Sequence, residues 1–198
     1  MSTEQSASST EQSAPRTEDP RPDELRRATS LVLVNTGHGK GKSSAAFGVV
    51  MRAVARDWPV AVVQFLKSGN WNTGEEKVAR QLGVDWWTLG EGFSWDSEDL
   101  TEDEAVAQAA FAKTQEVLTG GRYRLVVLDE ISYPMNWGWI DTASVKTAVT
   151  GREAKTNVVL TGRDMPQAII EVADTATEMT NIKHAYDQGI RAMRGIDF

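Results

Sequence analysis

The sequence predicts an α/β sandwich, in which helices cover both faces of a mostly parallel sheet of about six strands. Three observations lead to this prediction. Short, continuously apolar runs alternate with segments of helical periodicity, which is typical of a parallel sheet buried on both faces. A turn with three glycines separates the first apolar run from a helix. Polar or charged residues follow the apolar runs, at the sheet edge where such folds bind ligands.

The predicted elements alternate along the chain. A short helix at residues 23–29 precedes the first strand, which begins with the apolar residues 31–34. Thr101 and Glu104 have the spacing of a capping box at the start of the longest helix. The aromatic segment 132–140 is predicted to be irregular, and residues 182–198 end the domain. The other helices are predicted at residues 44–56, 75–82, 101–118, 142–149 and 166–173, and the other strands at 60–66, 84–89, 125–128, 157–161 and 175–179.

The turn after the first strand has the composition of a phosphate-binding loop. It contains Gly37, Gly39 and Gly41, and Lys42 and Ser43 follow directly. Glycines allow backbone N–H groups to curl around an anion, the helix adds the positive end of its dipole, and serine supplies a magnesium ligand. The usual motif has four residues between its first glycine and its Gly-Lys pair, whereas only three separate Gly37 from Gly41 here. An ordinary glycine turn is the alternative, but Gly-Lys-Ser after an apolar strand favours a P-loop (RecA-like) three-layer sandwich.

Two further strand ends carry charged residues. Asp129 and Glu130 close the strand at 125–128, where P-loop proteins place the second anchor for magnesium. Adjacent side chains at a strand end point to opposite sides, so one acid can serve the metal while the other bonds the frame or activates a nucleophile. Arg163 follows the strand at 157–161, and its guanidinium suits phosphate oxygens. A solvated strand end and a surface ion pair are the alternatives.

Aromatic residues in loops indicate a large flat ligand. Phe93 and Trp95 lie in the loop after the third strand, where core packing is not the default. Nucleic acid is a poor candidate for this ligand, because residues 91–104 contain seven acidic residues and no lysine or arginine. Neither histidine, His38 or His184, is assigned to a metal.

Composition and charge restrict the class of protein. The chain has 198 residues, no cysteine and a formal net charge of −7. Residues 1–24 hold six acids and two arginines, and the remainder has 19 basic and 22 acidic residues, so no basic excess indicates nucleic acid or an anionic membrane. No apolar run reaches the roughly 18 residues of a spanning helix, and no secretory signal is evident. We therefore expect a cytoplasmic protein without disulfides.

The first 22 residues differ from the rest of the chain. They consist largely of Ser, Thr, Glu, Gln and Pro, and STEQSA occurs at 2–7 and again at 9–14. No apolar seam accompanies this repeat, which excludes a coiled coil. The composition predicts a disordered tail at residues 1–22 and one P-loop domain at residues 23–198.

Several motifs together resemble the ATP:corrinoid adenosyltransferases of the BtuR/CobO type, also called cob(I)yrinic acid a,c-diamide adenosyltransferases. The resemblance covers about residues 25–198. The sequence departs from the family pattern at His38, where asparagine is common, at Ser43 and Ser44, where threonines are common, and in the segment 135–139. The motifs are TGHGKGKSSAAFG (36–48), VVQFLK (62–67), GEGFSWD (90–96), VVLDEISY (126–133), LTGRD (160–164) and IKHAYDQGIRAMRGIDF (182–198).

The resemblance implies an alkyl transfer, in which Co(I) of a corrinoid attacks the 5′ carbon of ATP and triphosphate leaves. Mg²⁺ is the expected cofactor, bound by Ser43 and Glu130, with Asp129 as a further candidate ligand. Phe93 and Trp95 are expected at the lower face of the corrinoid, and both are candidate catalytic residues together with Lys42. The expected ATP-binding residues are Thr36, Gly37, His38, Gly39, Lys40, Gly41, Lys42, Ser43, Ser44 and Arg163.

The family resemblance also implies partners. We expect a homodimer in which residues 23–30 cover the partner's site, and an external flavoprotein-type reductant that supplies electrons to cobalt. Two other functions remain open at this point: a P-loop ATPase or kinase, with Glu130 as base and Arg163 as sensor, and a corrinoid-binding module without turnover.

Overall fold

A computed structural model describes residues 24–66, 73–88 and 100–197, with the side chains of residues 100–102 excepted. Within these ranges the protein forms one sheet of six strands in the order β3-β2-β4-β5-β1-β6. Every neighbouring pair of strands is parallel, as the apolar runs predict. The strands are β1 (Val32–Thr36), β2 (Val60–Gln64), β3 (Asp85–Thr88), β4 (Leu125–Asp129), β5 (Asn157–Thr161) and β6 (Thr175–Glu178).

Helices connect the strands and cover the sheet. The longest, α3, includes Leu100, so Thr101 is helical and is not the N-cap that the capping-box pattern predicted. A short 3₁₀ helix, Tyr186–Gln188, lies in the C-terminal segment. The helices are α1 (Lys42–Val54), α2 (Gly74–Gln81), α3 (Leu100–Thr119), α4 (Ser132–Asn136), α5 (Thr142–Thr150) and α6 (Gln167–Ile170).

The core has two halves, one on each face of the sheet. Alternate residues of a strand point to opposite faces, and β4 shows this directly: Val127 packs with Phe47 of α1, whereas Leu128 packs in the other cluster with Phe111 of α3. Burial of both faces explains why β2 and β4 are apolar without alternation. The three layers predicted from the sequence are therefore present.

Three further local predictions differ from the structure. Residues 24–29 are not helical, because Leu25 is their only apolar side chain larger than alanine and it is 77% exposed, so no buried face stabilises a short helix. The segment predicted to be irregular contains α4, in which Pro134 lies in the first turn, where its missing N–H costs no helical hydrogen bond. The helix predicted at 166–173 is shorter, and Val172 and Ala173 instead donate three residues back, to Ile169 and Ile170.

Candidate nucleotide site

The glycine loop after β1 leads directly into α1. Gly41 has a φ of 114°, which a side chain would oppose, and its carbonyl accepts the Ala45 N–H at 2.8 Å, so the helix begins at Lys42, two residues earlier than predicted. The first amides of a helix have no acceptor within it and attract anions, with help from the helix dipole. The loop and the start of α1 therefore provide backbone donors for a phosphate chain at the carboxyl edge of the sheet.

Lys42, the first residue of α1, is half-buried next to this loop. Its Nζ donates to the carbonyl oxygen of Gly39 at 2.7 Å, and the Asn35 amide donates to the Lys42 carbonyl at 3.1 Å. Burial lowers the pKa of Lys42 below its usual value, and the Arg163 guanidinium lowers it further. Three nearby carboxylates act on the same pKa in the opposite direction, those of Glu130, Asp129 and Asp164. The ammonium group is thus close to three residues that the sequence predicted for the site, Arg163, Asp129 and Glu130.

Three buried polar side chains, those of Gln64, Asp129 and Thr161, meet at the carboxyl ends of β2, β4 and β5. The Asp129 carboxylate, which is fully buried, accepts from Gln64 Nε2 at 2.8 Å and from the Thr161 hydroxyl at 2.7 Å. Register explains the first contact, because Gln64 and Asp129 occupy paired positions of neighbouring strands. Glu130, the next residue, is half-buried with a φ of 62°. Of these two acids, Asp129 is therefore the one that forms hydrogen bonds to the neighbouring strands.

The turn after β5 contacts the glycine loop on its other side. His38 Nε2 lies 3.0 Å from Asp164 Oδ1, and the Thr36 hydroxyl accepts the Met165 N–H at 3.1 Å. Arg163, between these contacts and β5, is exposed. Since β1 and β5 are adjacent strands, this turn and the glycine loop share one edge of the sheet.

Comparisons with known proteins agree with this geometry. The family model for the ATP:corrinoid adenosyltransferases BtuR/CobO/CobP matches residues 28–198. The chain belongs to this family. A corrinoid adenosyltransferase from a Sinorhizobium species is 44% identical over 172 residues, which is 85% of this chain and 80% of the relative. A corrinoid adenosyltransferase from Pseudomonas aeruginosa is 40% identical, covering 91% and 89%, and corrinoid adenosyltransferase CobA from Salmonella typhimurium is 34% identical, covering 91% of each chain.

The match to the adenosyltransferase family includes a C-terminal segment whose contacts the sequence did not predict. The Gly39 N–H donates to the Met179 carbonyl at 2.6 Å, just after β6. Lys40 Nζ lies 2.6 Å from Asp197 Oδ1, and this ion pair holds the pKa of Asp197 below its usual value. Two residues of the predicted ATP loop are thus paired with the chain's own C-terminal segment. The family motif at 182–198 indicated that this segment matters, but the sequence did not reveal that it contacts the glycine loop.

The predicted corrinoid-binding residues, Phe93 and Trp95, lie outside the described residues. An aromatic cluster is present elsewhere near the site, where the rings of Trp137 and Trp139 are 4.6 Å apart and those of Tyr133 and Trp137 are 5.7 Å apart. Burial and the nearby Glu130 carboxylate raise the pKa of Tyr133. The cluster therefore borders the acidic end of β4.

The described part of the chain contains neither a clustered metal site nor a membrane-spanning helix. Among residues 24–66, 73–88 and 100–197, no group of three or more His, Cys, Asp or Glu side chains has the arrangement of a metal site. In the same residues no helix has the length and apolar character needed to cross a membrane.

Proposed function

We propose that this enzyme transfers the 5′-deoxyadenosyl group of ATP to the Co(I) centre of a corrinoid and releases triphosphate. The observation that carries the proposal is the glycine loop at the start of α1, with Lys42 among the charged residues of β4 and β5, in a chain of the adenosyltransferase family. The corrinoid is a substrate, because its cobalt gains the new bond. The reaction belongs to the synthesis or salvage of cobalamin.

The transfer balances without a general base. The electron pair of Co(I) attacks C5′ of ATP, the cobalt–carbon bond forms, and the C5′–O bond breaks with its electron pair leaving on triphosphate. Cobalt is thereby oxidised by two electrons. The protein's task is to stabilise the negative charge that develops on the leaving oxygen, and preorganised donors do this effectively in a partly dry site. The donors proposed for this task are the first amides of α1 and the side chains of Lys40, Lys42 and Arg163.

The residues present also fit Mg²⁺. Ser43 follows Lys42 in the first turn of α1, and Glu130 lies near enough to Lys42 to influence its pKa. A hydroxyl and a carboxylate are the hard oxygen ligands that Mg²⁺ prefers, and substrate phosphates usually complete its shell. Bound there, Mg²⁺ would neutralise part of the triphosphate charge. Asp129 supports this site indirectly, since both of its oxygens accept hydrogen bonds within the sheet.

Three further features stay predictions: assembly as a homodimer, electron delivery to Co(II) by a flavoprotein-type reductant, and a cytoplasmic location. Phe93 and Trp95 are proposed to contact the corrinoid's lower face, where a dry aromatic wall would displace the lower axial ligand and make Co(II) easier to reduce.

One anaerobic assay tests the proposal. ATP, Mg²⁺ and chemically reduced corrinoid are incubated with the enzyme, and the products are measured by absorbance and phosphate analysis. We expect a light-sensitive adenosylcorrinoid and triphosphate in equal amounts. ADP or orthophosphate as the primary product would instead identify an ATPase or kinase. Binding without a cobalt–carbon bond would identify a corrinoid-binding module.

A further inference from the structure

The Thr161 side chain contacts both acidic residues at the end of β4, Asp129 and Glu130. Its side chain is fully buried, its hydroxyl is 2.7 Å from Asp129 Oδ1, and the same oxygen is 2.9 Å from the Glu130 amide nitrogen. These two contacts connect β5 to the turn that carries Glu130. Neither contact was predicted, because Thr161 reads in the sequence only as the last residue of an apolar strand.

The chemistry of a hydroxyl fixes the direction of both hydrogen bonds. A carboxylate only accepts, and a backbone N–H only donates. The Thr161 hydroxyl must therefore donate its single proton to Asp129 and accept the N–H of Glu130. Gln64 occupies the other oxygen of Asp129 at 2.8 Å, so the carboxylate is held from both neighbouring strands. Asp129 in turn orients the hydroxyl so that its lone pair faces the Glu130 amide.

Glu130 needs such support because its backbone is strained. Its φ is 62°, a left-handed conformation that is unfavourable for a residue with a side chain and persists where surrounding contacts impose it. The bond from Thr161 fixes the amide of this residue. The conformation of the Glu130 backbone sets where its carboxylate lies, and this carboxylate is close enough to Lys42 at the start of α1 to influence the pKa of that lysine.

The residue after Thr161 limits how far this support can shift. Gly162 has a φ of 144°, and a Cβ at this position would lie 1.9 Å from the Ser132 hydroxyl oxygen. Gly162 and Ser132 are both buried. The chain on either side of Glu130 is therefore packed directly against the end of β5, which makes the end of β5 a rigid support.

We propose that Thr161 is a positioning residue, which holds Glu130 in the conformation that directs its carboxylate to the cation of bound ATP. The inference rests on the proposed function in that it takes Mg²⁺-ATP as the ligand. Residues that hold a metal ligand in place typically contribute about 10–100-fold to metal affinity or activity. Thr161 would have this influence without touching either substrate.

The test is the gain in ATP affinity that Mg²⁺ produces, measured by calorimetry with the full chain. Thr161→Val keeps the shape of the side chain but removes both hydrogen bonds, and we expect it to reduce this gain by roughly 10-fold or more. Thr161→Ser keeps the hydroxyl and should restore the gain to within about threefold of the native value. If the valine variant melts below the assay temperature, Thr161→Cys replaces it, because a thiol is only a weak donor.

Thr156→Val is the matched control. Thr156 is also fully buried, just before the other end of β5, and its hydroxyl donates to the Tyr123 carbonyl at 2.8 Å. We expect this variant to lose stability but to keep the native effect of Mg²⁺ on ATP affinity. Equal loss of the Mg²⁺ effect in Thr156→Val and Thr161→Val would show a general consequence of destabilisation and would overturn the proposal.

A double-mutant cycle with Glu130→Ala tests whether Thr161 acts through Glu130. Once the carboxylate is absent, Thr161→Val should change the Mg²⁺ effect by less than about twofold. The same loss with and without the carboxylate would refute the positioning role. The outcome is independent of the proposed reaction: if the native protein forms no adenosylcorrinoid, the reaction fails, while the cation dependence of ATP binding still decides the role of Thr161.

Discussion

The amide N–H of Gly39 donates to the carbonyl oxygen of Met179 at 2.6 Å, which joins the glycine loop after β1 to the chain that leaves β6. The approach is so close that a Cβ on Gly39 would lie 2.7 Å from this oxygen and a Cβ on Gly37 only 2.5 Å from it. Two of the three loop glycines are therefore required by backbone packing, whatever their role toward phosphate.

Gly39→Ala should destabilise the protein by roughly 1–3 kcal/mol, because overpacking forces the backbone of the C-terminal segment to move. Gly37→Ala should cost at least as much, since Gly37 also has a φ of 90°. Denaturant unfolding measures both effects. Gly48→Ala is the control: this helical glycine has open space at its Cβ position, and alanine there should stabilise the protein by about 0.5–1 kcal/mol. Unchanged stability in Gly39→Ala would contradict the packing account.

Lys42→Ala should lower the rate of adenosyl transfer by roughly 100- to 1,000-fold, the usual effect of removing one preorganised donor from a site of developing charge. The melting temperature should change little, because the side chain is only half-buried and its hydrogen bond to Gly39 is local. Lys146→Ala is the matched control, since Lys146 is 3.9 Å from Glu171 on the helical surface. Near-native turnover in Lys42→Ala would exclude this lysine from the mechanism.

Asp197→Asn should strengthen ATP binding by roughly two- to fivefold. The carboxylate pairs with Lys40 at 2.6 Å, so it competes with triphosphate for that ammonium group, and the partly exposed pair is weak enough to exchange. Equilibrium titration with ATP measures the change. Asp187→Asn, in the same segment but bonded to Asn181, should leave the affinity unchanged. Weaker ATP binding in Asp197→Asn would show that the carboxylate supports the loop and does not compete with ATP for the Lys40 ammonium group.

Tyr123 gives a pH-dependent prediction. Burial, and then the hydrogen bond to Asp85 at 2.8 Å, raise its pKa to about 12. In the unfolded chain a tyrosine loses its proton near pH 10. Between about pH 10 and pH 12 the folded state therefore binds more protons than the unfolded state, and the free energy of unfolding must fall as the pH rises.

The comparison with Tyr123→Phe isolates this effect. The phenylalanine variant should be about 1 kcal/mol less stable at neutral pH, because it lacks the hydrogen bond to Asp85. Its stability should fall less steeply above pH 10, so that the stability advantage of the native protein shrinks between about pH 10 and pH 12. Parallel curves, measured by denaturant unfolding at each pH, would refute the raised pKa.

Phe93→Ala and Trp95→Ala should cut turnover sharply when cobalt is supplied as Co(II) with a weak protein reductant. The loss should be much smaller when Co(I) is prepared chemically, because the proposed role of both rings is to displace the lower ligand before reduction. If the rings instead fill the core, both assays should fall together, with roughly 3–5 kcal/mol of lost stability. That second pattern would disprove the role in reduction.

Local sequence pattern was sufficient for most of the fold. The apolar runs of β2 and β4 are continuous because both faces of a parallel sheet are buried, and this is visible in the sequence without any knowledge of partners. The loop from Gly37 to Ser43 is equally visible, since its glycines and lysine are neighbours in the chain. The prediction of an irregular segment at 132–140 was wrong, because a short helix of mixed polarity has no periodicity to reveal it.

The contacts that shape the candidate site depended on tertiary structure. Thr161 reaches Asp129 from 32 residues away, and Met179 meets Gly39 through the pairing of β6 with β1. Strand order and register decide such contacts, and a shift by one residue would turn Thr161 to the other face of the sheet. The sequence determined which residues can bind phosphate and metal, because those chemistries belong to the side chains themselves. Only the folded sheet decided that the Asp129 carboxylate bonds its neighbours while the Glu130 amide bonds Thr161, because burial and hydrogen-bond partners arise from distant parts of the chain.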